Sequence, residues 1–217
     1  MKYKTVIFDL DGTLLDTLQD LTNSVNFALR SMRYPERTLE EVRAFVGNGI
    51  GKLIERAVPM HTDEKSIQKT LQIFKEHYGA HCEECTAPYE GIIPLLDCLK
   101  EQGIQTAVVS NKADFAVRKL CEKYFGNRIL ISVGECEGVR RKPAPDSVFS
   151  VISRLGAKQK DCVYIGDSDV DIETAYNAGI ESVIVTWGFR DKDFLLQAGA
   201  SVLADSVPQL KNLLIGE

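Results

Sequence analysis

Two aspartates, Asp9 and Asp11, directly follow a short apolar run, and a glycine and a threonine come next. The run at residues 6–8 is rich in β-branched and aromatic residues, which predicts a buried central strand. Asp9 would then lie at the carboxyl end of that strand, where open α/β sheets bind their ligands. Two carboxylates this close repel each other, so a cation or a shared proton is expected between them. A strand end with two solvated aspartates is the alternative interpretation of these residues alone.

A second acidic cluster follows a later apolar run. Residues 162–165 predict another buried strand, after which come Gly166, Asp167 and then Asp169 and Asp171. Acidic residues in the first turn of a helix are common for electrostatic reasons, whereas Asp167 follows the strand almost at once. Oxygen ligands alone favour a hard cation such as Mg²⁺. At an effective dielectric of about 20, each close carboxylate pair costs ~4 kcal/mol, so the two clusters would need such a cation if they meet.

Two further strand ends carry groups that could bind an anion. Ser110 and Asn111 lie where a helix follows the predicted strand 106–110, and a helix N-terminus offers free N–H groups. Lys142 precedes a helix that begins with prolines. A plain helix cap and a surface lysine are the alternatives. Because the carboxyl ends of parallel strands face one crevice, we expect these groups to lie near the acidic clusters.

The elements that must position these residues alternate along the second part of the chain. Predicted strands at 106–110, 129–133, 162–165 and 182–185 are separated by helices, several of which end at a glycine. Strands that alternate with helices of this length predict a parallel sheet with right-handed crossovers. The expected fold class is therefore α/β, with a Rossmann-like parallel sheet as its core.

Residues 17–85 differ from the rest because they predict helices and no strand. We interpret them as an all-α cap domain inserted into one discontinuous α/β core, which comprises residues 1–16 and 86–217. The insertion leaves the core just after Asp9 and Asp11, so the cap is expected to lie over them.

The helices of the insertion carry start signals. Thr17 with Asp20, and Thr38 with Glu41, have the three-residue spacing of capping pairs. His77, His81 and Cys85 lie at i, i+4 and i+8, a spacing that can bind Zn²⁺. No second Cys-x-x-Cys pair accompanies them, which favours a solvated helix face.

The composition is that of an ordinary globular protein, with 217 residues of which 44% are hydrophobic and 26% charged. The net charge of −5 gives no electrostatic reason to expect nucleic acid or an anionic membrane as a partner. No apolar stretch approaches the ~18 residues of a membrane span. The six cysteines are mostly dispersed and do not suggest a disulfide framework. We therefore expect a cytoplasmic protein.

Four segments resemble the four motifs of the haloacid dehalogenase superfamily, in the same order. They are residues 9–13 (DLDGT), Ser110, Lys142 with Pro143, and residues 166–171 (GDSDVD). The insertion also resembles the small helical cap of that superfamily. The resemblance implies a phosphatase in which Asp9 attacks phosphorus to form an aspartyl-phosphate. It implies that Asp11 acts as the general acid and base.

The resemblance also implies a set of ligands. Mg²⁺ would be held by Asp9, the backbone carbonyl of Asp11 and Asp167, with Asp171 binding it directly or orienting its waters. The phosphoryl oxygens would be bound by Ser110, Asn111 and Lys142. The partner would be a small phosphorylated metabolite, and the protein a monomer or homodimer.

A narrower resemblance is to phosphoglycolate phosphatases, and it implies 2-phosphoglycolate as the substrate. Residues 45–50 (FVGNGI) and 185–189 (VTWGF) are similar to stretches in that group. Backbone N–H groups of the glycine-rich turn could bind a small carboxylate, although a plain helix–helix turn is the alternative. The cap residues expected to contact the substrate are Arg43, Gly47, Asn48 and Gly49.

Other functions remain open on the sequence alone. The same phosphoaspartate could serve a phosphosugar mutase of the β-phosphoglucomutase type, or a phosphatase for another small phosphate such as pyrophosphate or a nucleotide. A non-catalytic binding protein is disfavoured, because binding alone does not require both Asp9 and Asp11.

Overall fold

The structure is a computed structural model that describes residues 2–216. The chain divides into two compact units. One comprises the chain up to Leu15 and from Pro88 onward, and the other is Asp16–Ala87. The chain therefore passes between the units after Leu15 and again after Ala87.

The first unit is built on a six-stranded sheet in which the strand pairs are parallel. The strands of the chain are β1 (Thr5–Phe8), β2 (Leu15–Asp16), β3 (Ala87–Pro88), β4 (Gln105–Ala113), β5 (Ile131–Glu135), β6 (Cys162–Gly166), β7 (Glu181–Val185) and β8 (Leu203–Ala204). The order in the sheet is β5-β4-β1-β6-β7-β8, and β2 with β3 forms a two-stranded sheet of its own. The predicted α/β class with a parallel sheet is confirmed.

Strand β1 lies in the interior of the sheet, which explains its uninterrupted apolar run. Its register pairs Phe8 with Val108 of β4 on one side and with Ile165 of β6 on the other. The residues that follow Phe8, Val108 and Ile165 therefore come to the same edge of the sheet. This edge carries the acidic clusters and the anion-binding candidates.

Helices cover the sheet and make up most of the second unit. They are α1 (Leu18–Ser31), α2 (Leu39–Phe45), α3 (Gly49–Ala57), α4 (Glu64–His81), α5 (Ile92–Glu101), α6 (Asp114–Phe125), α7 (Asp146–Arg154), α8 (Asp169–Ala178), α9 (Lys192–Gln197) and α10 (Val207–Ile215). In the core of the first unit, Val148 and Val151 of α7 pack with Ile7 and Ala107 of the sheet. None of the described helices is long and apolar enough to cross a membrane.

The two capping pairs of the insertion have different outcomes. Thr38 and Glu41 form a complete capping box at the start of α2, as predicted. The predicted capping pair of Thr17 and Asp20 at the start of α1 is wrong, because the Thr17 side chain makes no capping hydrogen bond. The carboxylate of Asp20 instead accepts hydrogen bonds from the Cys85 and Thr86 backbone N–H groups. Asp20 therefore bonds to a segment 65 residues away in the chain and not to the start of its own helix. The three-residue spacing of Thr17 and Asp20 cannot predict such a distant contact.

Candidate active site

Three carboxylates meet at the carboxyl edge of the sheet. Asp9 follows β1, Asp167 follows β6 and Asp171 lies in the first turn of α8. Each offers an oxygen atom, and these atoms lie within 4.8 Å of one another. The backbone N–H of Asp9 donates to the carbonyl of Ile165 at 2.8 Å, so neighbouring strands bring the two sequence clusters together.

Burial and the charges of neighbouring carboxylates make Asp9 and Asp167 hard to ionise without a cation. Burial raises the pKa of Asp9 to about 6; the ammonium of Lys142 opposes this effect, and the charges of Asp171 and Asp11 add to it. Burial, followed by the charges of Asp171 and Asp9, also raises the pKa of Asp167 well above its ordinary value. A cluster of hard oxygen donors with an excess of negative charge fits a divalent cation such as Mg²⁺.

Lys142 provides a buried positive charge among these carboxylates. Its Nζ lies 3.0 Å from Asp9 Oδ1 and 2.8 Å from Asp171 Oδ1. Burial lowers the pKa of Lys142, but the charges of Asp171 and Asp9 outweigh it, and the pKa is raised well above the ordinary value. Lys142 also donates to the hydroxyl of Tyr164 at 3.0 Å, and this hydroxyl donates to the carbonyl of Val109 at 2.9 Å. The lysine is therefore charged and held from several sides.

The side chain of Asn111 holds the backbone of Lys142. Its Oδ1 accepts from the Lys142 N–H at 2.9 Å, and its Nδ2 donates to the Lys142 carbonyl at 3.0 Å. The sequence groups Asn111 with the phosphate-binding residues. In the structure its amide binds the backbone of Lys142, because the loop that carries Lys142 runs beside the end of β4.

Ser110 lies at the expected place near the end of β4, and a second lysine follows it. The hydroxyl of Ser110 is buried and accepts from the Lys112 backbone N–H at 3.3 Å. The Nζ of Lys112 lies 2.8 Å from Asp11 Oδ1. Sequence reasoning did not select Lys112. Strand β4 continues to Ala113, beyond its predicted end at residue 110, and a strand of that length would have suggested that Ser110 and Lys112 share a face.

Both carboxylate oxygens of Asp171 already have protein partners. Oδ2 accepts from the backbone N–H groups of Asp167 and Ser168 and from the Ser168 hydroxyl. Oδ1 accepts from Lys142. Asp171 therefore organises the loop between β6 and α8 and holds the lysine in place.

The loop after β7 completes the surroundings of Asp167. The Phe189 N–H donates to Asp167 Oδ2 at 2.7 Å. Gly188 packs so closely that an added Cβ would lie 2.5 Å from the carbonyl oxygen of Gly12 and would also clash with Asp167. The indole N–H of Trp187 donates to the carbonyl of Thr13 at 3.2 Å. The sequence marked this loop only by its resemblance to relatives, and its contacts with Asp167 were missed.

The cap candidates lie on the second unit, in and beside the turn between α2 and α3. Gly47 and Gly49 have positive φ values of 122° and 83°, a conformation that favours glycine. Arg56 donates to the Asn48 side-chain oxygen at 2.8 Å and thereby closes the turn. Arg43 lies on α2 and is partly buried.

Among the described residues, the histidines of α4 and Cys85 do not come together as a group that could hold a metal ion. The rings of His77 and His81 stack with their centroids 4.2 Å apart, while Cys85 is exposed. Within residues 2–216, the group of three or more side chains that could hold a metal ion is the carboxylate cluster at Asp9.

Comparisons with known proteins identify relatives across most of the chain. The family model of haloacid dehalogenase-like hydrolases matches residues 6–185. A phosphoglycolate phosphatase of Pseudomonas savastanoi pv. phaseolicola is 31% identical over 213 residues, which cover 95% of this chain and 78% of that protein. A phosphoglycolate phosphatase of Aquifex aeolicus is 30% identical over 188 residues, which cover 86% of each chain.

Two solved structures also resemble this chain over its whole length. A candidate phosphoglycolate phosphatase from Lactobacillus delbrueckii subsp. bulgaricus has a TM-score of 0.95 and 36% identity, with both chains covered completely. A protein from Haemophilus somnus, assigned by prediction as a phosphoglycolate phosphatase, has a TM-score of 0.91 and 27% identity, with 100% and 99% of the two chains covered.

Proposed function

Because this chain belongs to the family of haloacid dehalogenase-like hydrolases and is a phosphoric monoester hydrolase, we propose that it hydrolyses small phosphomonoesters with Mg²⁺ and an aspartyl-phosphate on Asp9. The preferred substrate in this proposal is 2-phosphoglycolate, the substrate in the names of its relatives. The observation that carries the proposal is the Asp9 carboxylate, which is buried at the sheet edge beside Lys142 and two further carboxylates.

The donor atoms at this edge suit Mg²⁺. We assign its binding to the carboxylates of Asp9 and Asp167 and to the backbone carbonyl of Asp11. Because both oxygens of Asp171 have protein partners, we assign that residue to orienting the ion's waters. When bound, the ion supplies positive charge that offsets the carboxylates and the incoming phosphoryl group.

The protein's own groups prepare Asp9 for attack. The Leu10 N–H and the Lys142 ammonium both bind Asp9 Oδ1, at 2.7 and 3.0 Å, and this fixes the orientation of the carboxylate. In the first step a carboxylate oxygen bonds to phosphorus while the ester P–O bond breaks. Ser110 and Lys142 bind the phosphoryl oxygens, and Asn111 acts by holding the backbone of Lys142.

Asp11 transfers a proton in each of the two steps. It donates a proton to the leaving alkoxide while the aspartyl-phosphate forms. Its carboxylate then takes a proton from a water molecule, whose oxygen bonds to phosphorus while the bond from Asp9 to phosphorus breaks. This step releases inorganic phosphate and restores the Asp9 carboxylate. Asp11 thus acts first as an acid and then as a base.

The test is phosphate release from a panel of phosphate esters with and without Mg²⁺. We expect EDTA to abolish release and Asp9→Asn to show no turnover. Asp193→Asn, which changes an exposed aspartate on α9, is the matched control and should retain activity. Turnover by Asp9→Asn would refute the covalent mechanism. An isomerised sugar phosphate with little free phosphate would favour a mutase instead.

The substrate-selecting role of the cap is tested separately. We expect Arg43→Ala, and changes to the turn that contains Gly47, Asn48 and Gly49, to raise KM for 2-phosphoglycolate more than for 4-nitrophenyl phosphate, which has no carboxylate. Lys65→Ala, at an exposed position on α4, is the matched control. An equal effect on both substrates would count against a carboxylate contact in the cap.

A further inference from the structure

Lys112 places a buried ammonium directly on the side chain of Asp11. The Nζ lies 2.8 Å from Asp11 Oδ1, and the side chains are 2% and 14% exposed. A lysine is almost never this buried unless its charge is paired. The geometry points to Lys112 as the positioning residue that holds Asp11 for proton transfer. This inference rests on the proposed function, in which Asp11 is the acid and base.

The backbone around Lys112 is anchored on both sides. Its own N–H donates to the Ser110 hydroxyl at 3.3 Å, and the neighbouring Asn111 is bonded to the backbone of Lys142. Three successive residues near the end of β4, Ser110, Asn111 and Lys112, therefore each make a hydrogen bond within the site. Because the lysine stem is also buried, its ammonium is held where it meets Asp11.

Asp11, by contrast, lies in the turn that follows β1. Gly12 in this turn has a φ of 82°, and its N–H donates to the Leu15 carbonyl at 2.9 Å. These contacts fix the backbone of the turn but not the direction of the Asp11 carboxylate. An oriented, charge-assisted bond to Lys112 fixes one oxygen and leaves the second for the leaving group and the water. Such positioning matters because proton transfer needs the acid within hydrogen-bond reach of the reacting oxygen.

Substrates with different leaving groups distinguish a role of Lys112 in positioning Asp11 from a role in binding phosphate. An alkoxide must be protonated as it leaves, whereas 4-nitrophenolate is stable without a proton. kcat/KM reports the steps through formation of the aspartyl-phosphate, so loss of acid assistance lowers it for an alkyl ester and spares it for the nitrophenyl ester. Loss of a phosphate ligand lowers it for both.

The experiment compares kcat/KM for 2-phosphoglycolate and 4-nitrophenyl phosphate in wild type, Lys112→Met, Lys112→Arg and Asp11→Asn. General acid–base groups contribute ~100-fold or more. We therefore expect Lys112→Met to lower the ratio of the two kcat/KM values by about 10-fold or more. We expect Asp11→Asn to lower it in the same direction and Lys112→Arg to restore part of it. Lys119→Met, at an exposed lysine on α6, is the matched control.

The ratio of the two kcat/KM values can still be interpreted when only part of a variant folds. Both values are measured on the same preparation, so the concentration of active enzyme cancels in the ratio. If Lys112→Met yields no folded protein, Lys112→Gln is measured in its place. The double variant Lys112→Met with Asp11→Asn should show no further drop in the ratio, because the two residues act as one unit. An unchanged ratio, or a further drop in the double variant, overturns the inference. Activity in Asp9→Asn, or none in wild type, overturns the proposed function instead.

Discussion

Removing the charge of Asp9 should make the metal-free protein more stable. Burial is the largest effect that raises the pKa of this carboxyl in the folded protein, so the native state binds its proton more tightly than the unfolded chain does. Where the native state binds more protons, stability falls as pH rises. The contribution of Asp9 is therefore most favourable below its ordinary pKa of 3.8 and is lost as pH rises through about 6.

The magnitude follows from the difference between these two pKa values. The pKa rises from 3.8 to about 6, and each pKa unit corresponds to about 1.4 kcal/mol. Ionised Asp9 thus destabilises the metal-free fold by about 3 kcal/mol at neutral pH. Asparagine has the shape of the protonated acid without its charge, so Asp9→Asn should raise the free energy of unfolding by about that amount.

The assay is urea unfolding of both proteins in EDTA, repeated at several pH values. We expect Asp9→Asn to be more stable at neutral pH and the difference to narrow as pH falls from about 6 towards 3.8. Asp193→Asn is the control for removing an exposed carboxylate. Mg²⁺ should then stabilise wild type more than the variant. Equal or lower stability of Asp9→Asn at neutral pH in EDTA would refute the reasoning.

Three further substitutions test the packing around the site and the geometry of α3. Tyr164→Phe leaves the buried carbonyl of Val109 without its hydroxyl donor and should cost ~1–3 kcal/mol in urea unfolding; an unchanged unfolding free energy would contradict the role of that hydroxyl. Gly188→Ala puts a methyl group 2.5 Å from the Gly12 carbonyl oxygen, so we expect a loss of more than ~2 kcal/mol, followed as a lower Tm; a wild-type Tm would contradict the close packing. Gly51→Ala on α3 meets nothing within 4 Å and should instead stabilise by ~0.5–1 kcal/mol, and a loss of stability there would count against the α3 geometry.

The family and the fold class could be predicted because their signals are local. A strand, a turn with two acids and a helix that ends at glycine can each be recognised within about ten residues. The rule that βαβ units are right-handed and parallel then brings the strand ends together. Phe8, Val108 and Ile165 lie side by side as that rule requires.

Other contacts depend on residues far apart in the chain. Thr17 and Asp20 have the spacing of a capping pair for α1, but the Asp20 carboxylate accepts hydrogen bonds from the backbone N–H groups of Cys85 and Thr86, 65 and 66 residues later. Trp187 and Phe189 were marked by resemblance alone, and only the folded loop shows that they contact Thr13 and Asp167. Such pairings have no periodic signal, because they arise where loops from different strands meet.

The sequence by itself determined which chemical groups this protein carries at the ends of its strands. Asp9, Asp11, Ser110 and Lys142 each follow from local pattern and resemblance, and the predicted family is confirmed. Only the tertiary structure decided how those groups are held. Lys112 meets Asp11 across 101 residues of chain. That pairing depends on how the ends of β4 and β1 meet in space, since short-range spacing carries no information about charges that meet only after the sheet has formed.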